Sequence, residues 1–239
     1  MLDTAELRNE VQKNGFAVCE DVLSPEAITA LLGALGSIDE LGSLQKRGAT
    51  FAFRNLLDTS FEVRELANSG MVRGLVDTVL GLGSFAVRGL LLDKIPEANW
   101  KVPWHQDVTI AIQDKVEADG FGPWSIKADV LHVRPPAHVL EQMISVRIHL
   151  DPCGEENGAL RVIPGSHVQG RIPEEKIVTI REEVPERICA VKAGDALLMR
   201  PLLLHASSPS RLPGHRRVVH LDFANVKLPN GMRWFSEKS

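Results

Sequence analysis

From Phe85 onward the chain is divided into short apolar runs rich in Val, Ile and Leu, and each run is closed by turn formers. Glu155-Glu156-Asn157-Gly158, Pro164-Gly165-Ser166 and Ala193-Gly194-Asp195 are examples. Many short strands punctuated in this way fit an antiparallel sandwich or barrel. Residues two apart on a strand share a face. Dividing Ile144 to Asp151 by parity sets Ile144, Val146, Ile148 and Leu150 against Ser145, Arg147, His149 and Asp151. Arg216 to Phe223 divides into Arg217, Val219, Leu221 and Phe223 against Arg216, Val218, His220 and Asp222. Trp104 to Ile112, read as one strand, sets Trp104, Gln106, Val108, Ile110 and Ile112 against His105, Asp107, Thr109 and Ala111. Each strand therefore has an apolar face and a largely polar one. An ordinary sandwich turns its polar faces to water.

The first third of the chain offers a second solution. Residues 3–14 suit a helix ending near Gly15, and Phe16-Ala17-Val18-Cys19 suits a short strand. Ser24, Pro25 and Glu26 supply an N-cap, a first-turn proline and an early acid for a helix running to about Gly36. Phe61 to Leu82 is a further helical region, broken at Gly70 and closed by Gly81 and Gly83. Helices placed early can cover the apolar outside of a later sheet, leaving its polar face to line an internal cavity. At 239 residues and 44% hydrophobic composition, one elaborated domain is expected. It would comprise a mainly helical part at 1–84, a β core at 85–226 with a loop or lid at 113–126, and a C-terminal tail at 227–239.

The formal charge of −4, with both signs mixed along the chain, gives no basic stripe for nucleic acid. No apolar run approaches the roughly 20 residues of a membrane span. The N-terminus does not read as a secretory signal, and Cys19, Cys153 and Cys189 are odd in number and widely separated. Free thiols in the cytoplasm are the expectation.

His105 and Asp107, facing together, would converge on one ion, and His205 is a candidate third ligand. Two histidines and a carboxylate on one side of a metal leave its other positions open, as in non-haem Fe(II) oxygenases. A lone His-x-Asp is weak, since chance supplies about 0.4 in a chain of this composition. A histidine in an apolar run such as Leu202 to Ser207 is ordinarily a hydrogen-bonded core residue, and only its partners elsewhere make it a ligand.

The ordered set is more specific. Gly15-Phe16-Ala17-Val18, Leu23-Ser24-Pro25-Glu26, Trp104-His105-Gln106-Asp107, the run Glu156 to His167, Ala193-Gly194-Asp195, His205 and Arg216 together resemble the phytanoyl-CoA dioxygenase family over nearly the whole chain. The resemblance implies a mainly β fold with flanking helices: a double-stranded β-helix, or jelly-roll/cupin-like barrel, with N-terminal helices packed outside the major sheet. It implies a dioxygenase that uses Fe(II), 2-oxoglutarate and O2 to hydroxylate a C–H bond of a small molecule, releasing succinate and CO2. His105, Asp107 and His205 would be the metal ligands and catalytic centre. Arg216, eleven residues after His205, would hold the distal carboxylate of 2-oxoglutarate with a planar, permanently charged fork. Arg217 falls on the apolar face, although a bulge could exchange the two arginines. Ser207, Gln106 and Thr109 are further co-substrate candidates, and Asn157 and Gly158 belong to a structural turn. Arg147 and His149 would suit an anionic or polar substrate, and Trp104 and Trp124 could shape its entrance. Lys94 and Arg88 face either the cavity or a surface ion pair. His167 sits on an exposed loop. Related halogenases replace the metal carboxylate with a small residue, so Asp107 favours hydroxylation. The competing readings are a cupin-like isomerase or hydrolase using zinc or manganese, and a silent metal- or ligand-binding barrel.

Overall fold

A computed structural model describes residues 3–40, 51–95, 99–127 and 129–237. The helices are α1 (Thr4–Asn14), α2 (Pro25–Glu40), α3 (Leu56–Thr59), α4 (Phe61–Asn68) and α5 (Gly70–Leu80). Asp3 and Glu6 close a reciprocal capping box on α1, and Gly15 ends it in the left-handed region at φ 84°. A Cβ at Gly15 would also collide with His167 and Leu203. The helix expected to stop near Gly36 continues to Glu40, because a glycine in a helix interior weakens it without breaking it. The 61–82 region is two helices meeting at Ser69, whose N–H closes α4 on the Leu66 carbonyl and whose hydroxyl caps α5 through the Val72 N–H. Among the described residues no helix is long and apolar enough to cross a membrane.

The sheets alternate along the sequence. The larger contains β1 (Phe16–Cys19), β2 (Phe51–Phe53), β3 (Phe85–Lys94), β8 (Met143–His149), β11 (Ala196–Met199) and β13 (Arg216–Ala224), in the order β1-β11-β8-β13-β3-β2. The smaller contains β4 (Val102–His105), β9 (Leu160–Val162), β10 (Arg187–Cys189) and β12 (His205–Ser207), in the order β10-β9-β12-β4. A third sheet, β5 (Ile110–Ile112), β6 (Trp124–Lys127) and β7 (Val130–Val133), has the order β5-β7-β6. Passage from β3 to β4, from β8 to β9, from β10 to β11 and on through β12 to β13 switches sheets each time. This is the antiparallel double-stranded β-helix.

The helices solve the problem of the sheet's outer face. Ile144, Val146, Ile148, Val219, Leu221 and Phe223 are buried in one cluster with Leu7, Val11, Val63, Val72 and Val76 of the helices. Truncating one of these fully buried aliphatic chains to alanine costs about 2–5 kcal/mol. The opposite face of the same strands carries Ser145, Arg147, His149, Arg216, His220 and Asp222, all buried. Those polar groups face protein rather than water. One edge of the interior is apolar, where Phe16, Leu197 and Met199 meet Leu160, Val162, Cys189 and Leu203. The segment after β5 and the C-terminal residues pack on each other around Trp234, which is 1% exposed and donates from its indole N–H to the Val226 carbonyl.

One expected strand is broken. The chain leaves the smaller sheet at His105, and β5 joins the third sheet, so Trp104 to Ile112 does not run as one strand. Between them the Asp107 N–H donates to the Pro201 carbonyl. Gln106 donates to the carbonyls of Gly170 and Leu202 and accepts from the Ile172 N–H. These long-range backbone anchors replace the ladder bonds that a continuous strand would make.

Candidate metal centre and cationic cavity

His105 ends β4, His205 opens β12, and the two are cross-strand partners with ring centroids 4.2 Å apart. His105 Nδ1 lies 2.9 Å from the Pro103 carbonyl, and His205 Nδ1 lies 2.8 Å from the Leu203 carbonyl. A carbonyl only accepts, so both Nδ1 atoms carry the proton and both Nε2 atoms keep a free lone pair. Those atoms face Asp107: His105 Nε2 is 3.8 Å from Oδ1 and His205 Nε2 is 3.7 Å from Oδ2. The three donors lie within 4.8 Å of one another. Burial raises the proton affinity of Asp107, but His205, Arg88, His220 and His105 outweigh it and hold the carboxyl below its usual range. Burial, with the neighbouring His105 and Arg147, pushes His205 down to about 4 despite the opposing pull of Asp107. Two imidazole Nε2 atoms and a carboxylate on one side of a point are the donor set that suits a divalent transition metal and leaves its other positions to exchangeable ligands. The broken strand does not spoil the pair, because Asp107 is aimed by its backbone bond to Pro201 instead of by the pleat.

On the inner face of the larger sheet, Arg216 pairs with Lys94 of β3 and is 4% exposed. It donates to the Gly158 carbonyl and lies 3.8 Å from Cys153 Sγ, while its Nε has no partner. Gly158 has φ 66°, and a Cβ there would collide with the Ser208 carbonyl, so this close turn requires glycine. Lys94 is 1% exposed and donates to Ser207 Oγ at 3.0 Å and to the Ser208 carbonyl at 2.7 Å. Burial, then Arg216 and Arg147, push its ammonium down to about 7. Arg147 is pushed down to about 10 by burial and then by Arg216, and its Nε has no partner. Both ring nitrogens of the buried His149 are without partners. Burial, reinforced by Arg147 and Arg216, keeps that ring well below its usual pKa. Four buried groups capable of carrying positive charge, with orphaned N–H groups among them, fit an anion with two carboxylates.

Arg217 turns to the other face and makes a two-pronged contact with Asp151, at 2.8 and 2.7 Å. Next along the inner face, Asp222 accepts from Ser145 at 2.6 Å, His220 at 2.8 Å and Arg88 at 2.5 Å. Arg147 in turn donates to His220 Nδ1 at 3.0 Å. His220 thus bridges Arg147 and Asp222, its Nδ1 toward the guanidinium and its Nε2 toward the carboxylate.

Other expected residues have different surroundings. Gln106 is occupied by backbone groups, and Thr109 accepts from Lys127 at 2.9 Å. Trp124 packs against the Trp234 cluster with Lys115 over its ring, and Trp104 lies under Arg161 and Arg181. His167 is half-buried and contacts the Gln12 carbonyl at 3.2 Å. Asn157 accepts from the Ser210 hydroxyl and donates to the Pro152 carbonyl, as a turn residue does. The acid–imidazole network around Asp222 has no motif of its own. The alternation in β13 shows which face it occupies without showing its partners.

The family model described as phytanoyl-CoA dioxygenase (PhyH) matches residues 11–218. No curated protein sequence matches. Among solved structures, AviO1 from Streptomyces viridochromogenes Tue57 is 23% identical with a TM-score of 0.69, the alignment covering 96% of this chain and 98% of that one. The non-haem alpha-ketoglutarate-dependent epimerase SnoN from nogalamycin biosynthesis is 16% identical with a TM-score of 0.73, covering 93% and 80%. EctD from S. alaskensis with 2-oxoglutarate and 5-hydroxyectoine is 18% identical with a TM-score of 0.71, covering 94% and 77%. At these identities the likeness establishes the double-stranded β-helix, and the family match carries the assignment. The chain belongs to the phytanoyl-CoA dioxygenase family, within the Fe(II)- and 2-oxoglutarate-dependent oxygenases.

Proposed function

We propose that this protein is an Fe(II)- and 2-oxoglutarate-dependent dioxygenase that hydroxylates a C–H bond of a small molecule. The observation that carries this reading is the convergence of His105, Asp107 and His205, with both imidazoles oriented by backbone carbonyls, together with a buried cationic cluster on the inner face of the larger sheet. His105, Asp107 and His205 hold the metal. Arg216 and Lys94, with Ser207 of the smaller sheet bonded to Lys94, receive the distal carboxylate of 2-oxoglutarate, and Arg147 and His149 line the same end. The bound iron and co-substrate would supply O2 activation coupled to decarboxylation, one oxygen atom ending in succinate and the other in the hydroxylated product.

The chain's own contribution is positioning. The carbonyls of Pro103 and Leu203 keep the imidazoles oriented, Asp107 keeps a coordination position that a halide would otherwise fill, and the protein walls keep bulk water from the buried end. Similar folds include proteins described as an epimerase and a carbocyclase, so hydroxylation rests here on the complete carboxylate-containing triad.

The test is succinate formation from 2-oxoglutarate on adding Fe(II), ascorbate and a panel of small-molecule substrates. Wild type should form succinate above the protein-free background, and His105→Ala and Asp107→Ala should each bind metal at least ~100-fold more weakly. No succinate across the panel, or wild-type metal affinity in both variants, would refute the reading.

A further inference from the structure

A narrow cleft runs beside the edge of β3 beyond the residues paired with β2, between the segment before α3 and the third sheet. Its walls include Arg54, Arg88, Lys127 and His132. Arg88 forms the deep end, where its charge also bears on Asp107. Lys127 bonds to Thr109, two residues beyond Asp107, and its charge, like that of Arg88, acts on Asp107, so the cleft lies on the Asp107 side of the triad. Arg88 is neutralised by Asp222. Among the described residues, no carboxylate lies within 4 Å of Arg54 or Lys127, although Asp58 also lines the cleft.

Unlike the cations at the Arg216 end, Arg54 and Lys127 are exposed at the rim. Their charges still act on one another. Burial and then Arg88 lower the proton affinity of Arg54, and burial, Arg88 and Arg54 lower that of Lys127 despite Asp107. Buried His132 is pushed down to about 4 by burial, and Lys127, Arg88 and Arg54 add to the effect although its bond to the Val130 carbonyl opposes it. A positive field at a cleft concentrates anions there.

Resting on the oxygenase reading, we propose that the primary substrate carries a carboxylate or phosphate, which Arg54 and Lys127 hold at the rim while its apolar part extends toward the metal side. The two cations act as specificity determinants and take no part in metal or co-substrate binding.

The experiment uses protein loaded with Ni(II) and saturating 2-oxoglutarate, which occupies the co-substrate end. Hexanoate, hexyl phosphate and hexanol are titrated by calorimetry against wild type, Arg54→Gln, Lys127→Gln and the double variant. At least one anionic probe should bind wild type about tenfold or more tightly than hexanol, and each single variant should lose about tenfold of that preference. The double variant should bind all three alike. Preference for hexanoate identifies a carboxylate, and preference for hexyl phosphate a phosphate. Equal binding of hexanol by wild type, no anion binding, or an undiminished preference in the double variant would overturn the proposal. Ni(II) and 2-oxoglutarate affinities are measured in the same samples. Their absence in wild type counts against the oxygenase reading, whereas their persistence with a lost anion preference in the variants supports the rim assignment.

Discussion

The inner face of β13 has two unlike ends. At Asp222, each charged group is answered: Ser145, His220 and Arg88 all donate to one carboxylate, and Arg147 donates to the far side of His220. At Arg216, positive groups gather whose side chains make no ion pair among the described residues, and the Nε atoms of Arg216 and Arg147 and both nitrogens of His149 have no partner there. Buried polar groups are normally satisfied, so a satisfied network indicates a scaffold and an unsatisfied one indicates a ligand. The same strand therefore supplies both a rigid support and a receptor, a few residues apart.

The largest effect should come from breaking the satisfied end. Asp222→Asn removes the charge that answers Arg88, leaving a largely buried cation, and should destabilise the fold by about 3–5 kcal/mol in urea unfolding. Arg88→Met combined with Asp222→Leu should recover most of that loss, because no uncompensated charge remains. Arg88 and His220 overcome the burial penalty and hold Asp222 far below the usual carboxylate range. Its contribution is thus present above about pH 4 and disappears as pH falls further, so the variant should flatten the acid limb of the stability curve. Equal stabilities of wild type and Asp222→Asn at pH 7 would remove the contrast between the ends.

At the other end the expected loss is of affinity. Arg216→Met should weaken 2-oxoglutarate binding roughly 100-fold, about 2.7 kcal/mol, and Arg216→Lys should fall between, since an ammonium retains charge but lacks the fork. The thermal midpoint should hold or rise, because one of several crowded cations is removed. A large fall in midpoint with unchanged affinity would make Arg216 a scaffold residue like Asp222.

Lys94 offers a smaller effect that joins affinity to pH. Folded, its ammonium is pushed down to about 7, whereas an unfolded lysine holds its proton to about 10.5. The unfolded chain binds more protons between those values, so this group makes stability rise with pH across that window. A dianion arriving beside Lys94 should restore the proton. Calorimetry at pH 8 in two buffers of different ionisation enthalpy should show uptake of a fraction of a proton on 2-oxoglutarate binding, and Lys94→Met should abolish it.

How much of this is legible in the sequence differs by region. Parity in Ile144 to Asp151 and Arg216 to Phe223 correctly separates the helix-covered face from the cavity face, because both lie within strands whose hydrogen bonds follow one ladder. The same parity misdescribes Trp104 to Ile112. Alternation persists there while the chain changes sheets, and a pattern carries no record of which strand is the partner. Lys94 shares parity with Arg88 on β3, yet only the approach of Ser207 and Ser208 makes it a buried donor. Arg54 and Lys127 stand in no motif, and their proximity comes from the placement of the third sheet against β3.

The smallest expected effect is the sharpest control on the comparison, since Arg217 differs from Arg216 by one residue and one face. Its guanidinium is already matched to Asp151 by two hydrogen bonds, with side chains 27% and 17% exposed. A partly exposed pair of this kind contributes about 1 kcal/mol or less. Arg217→Gln and Asp151→Asn should therefore each lower stability by no more than that and leave 2-oxoglutarate affinity unchanged. The bulge in β13 falls between Asp222 and Phe223, beyond the point where it could exchange the two arginines. If Arg217→Gln weakened 2-oxoglutarate binding while Arg216→Met did not, the pairing with Asp151 would have to open on binding, and the receptor would be built from the face assigned here to structure.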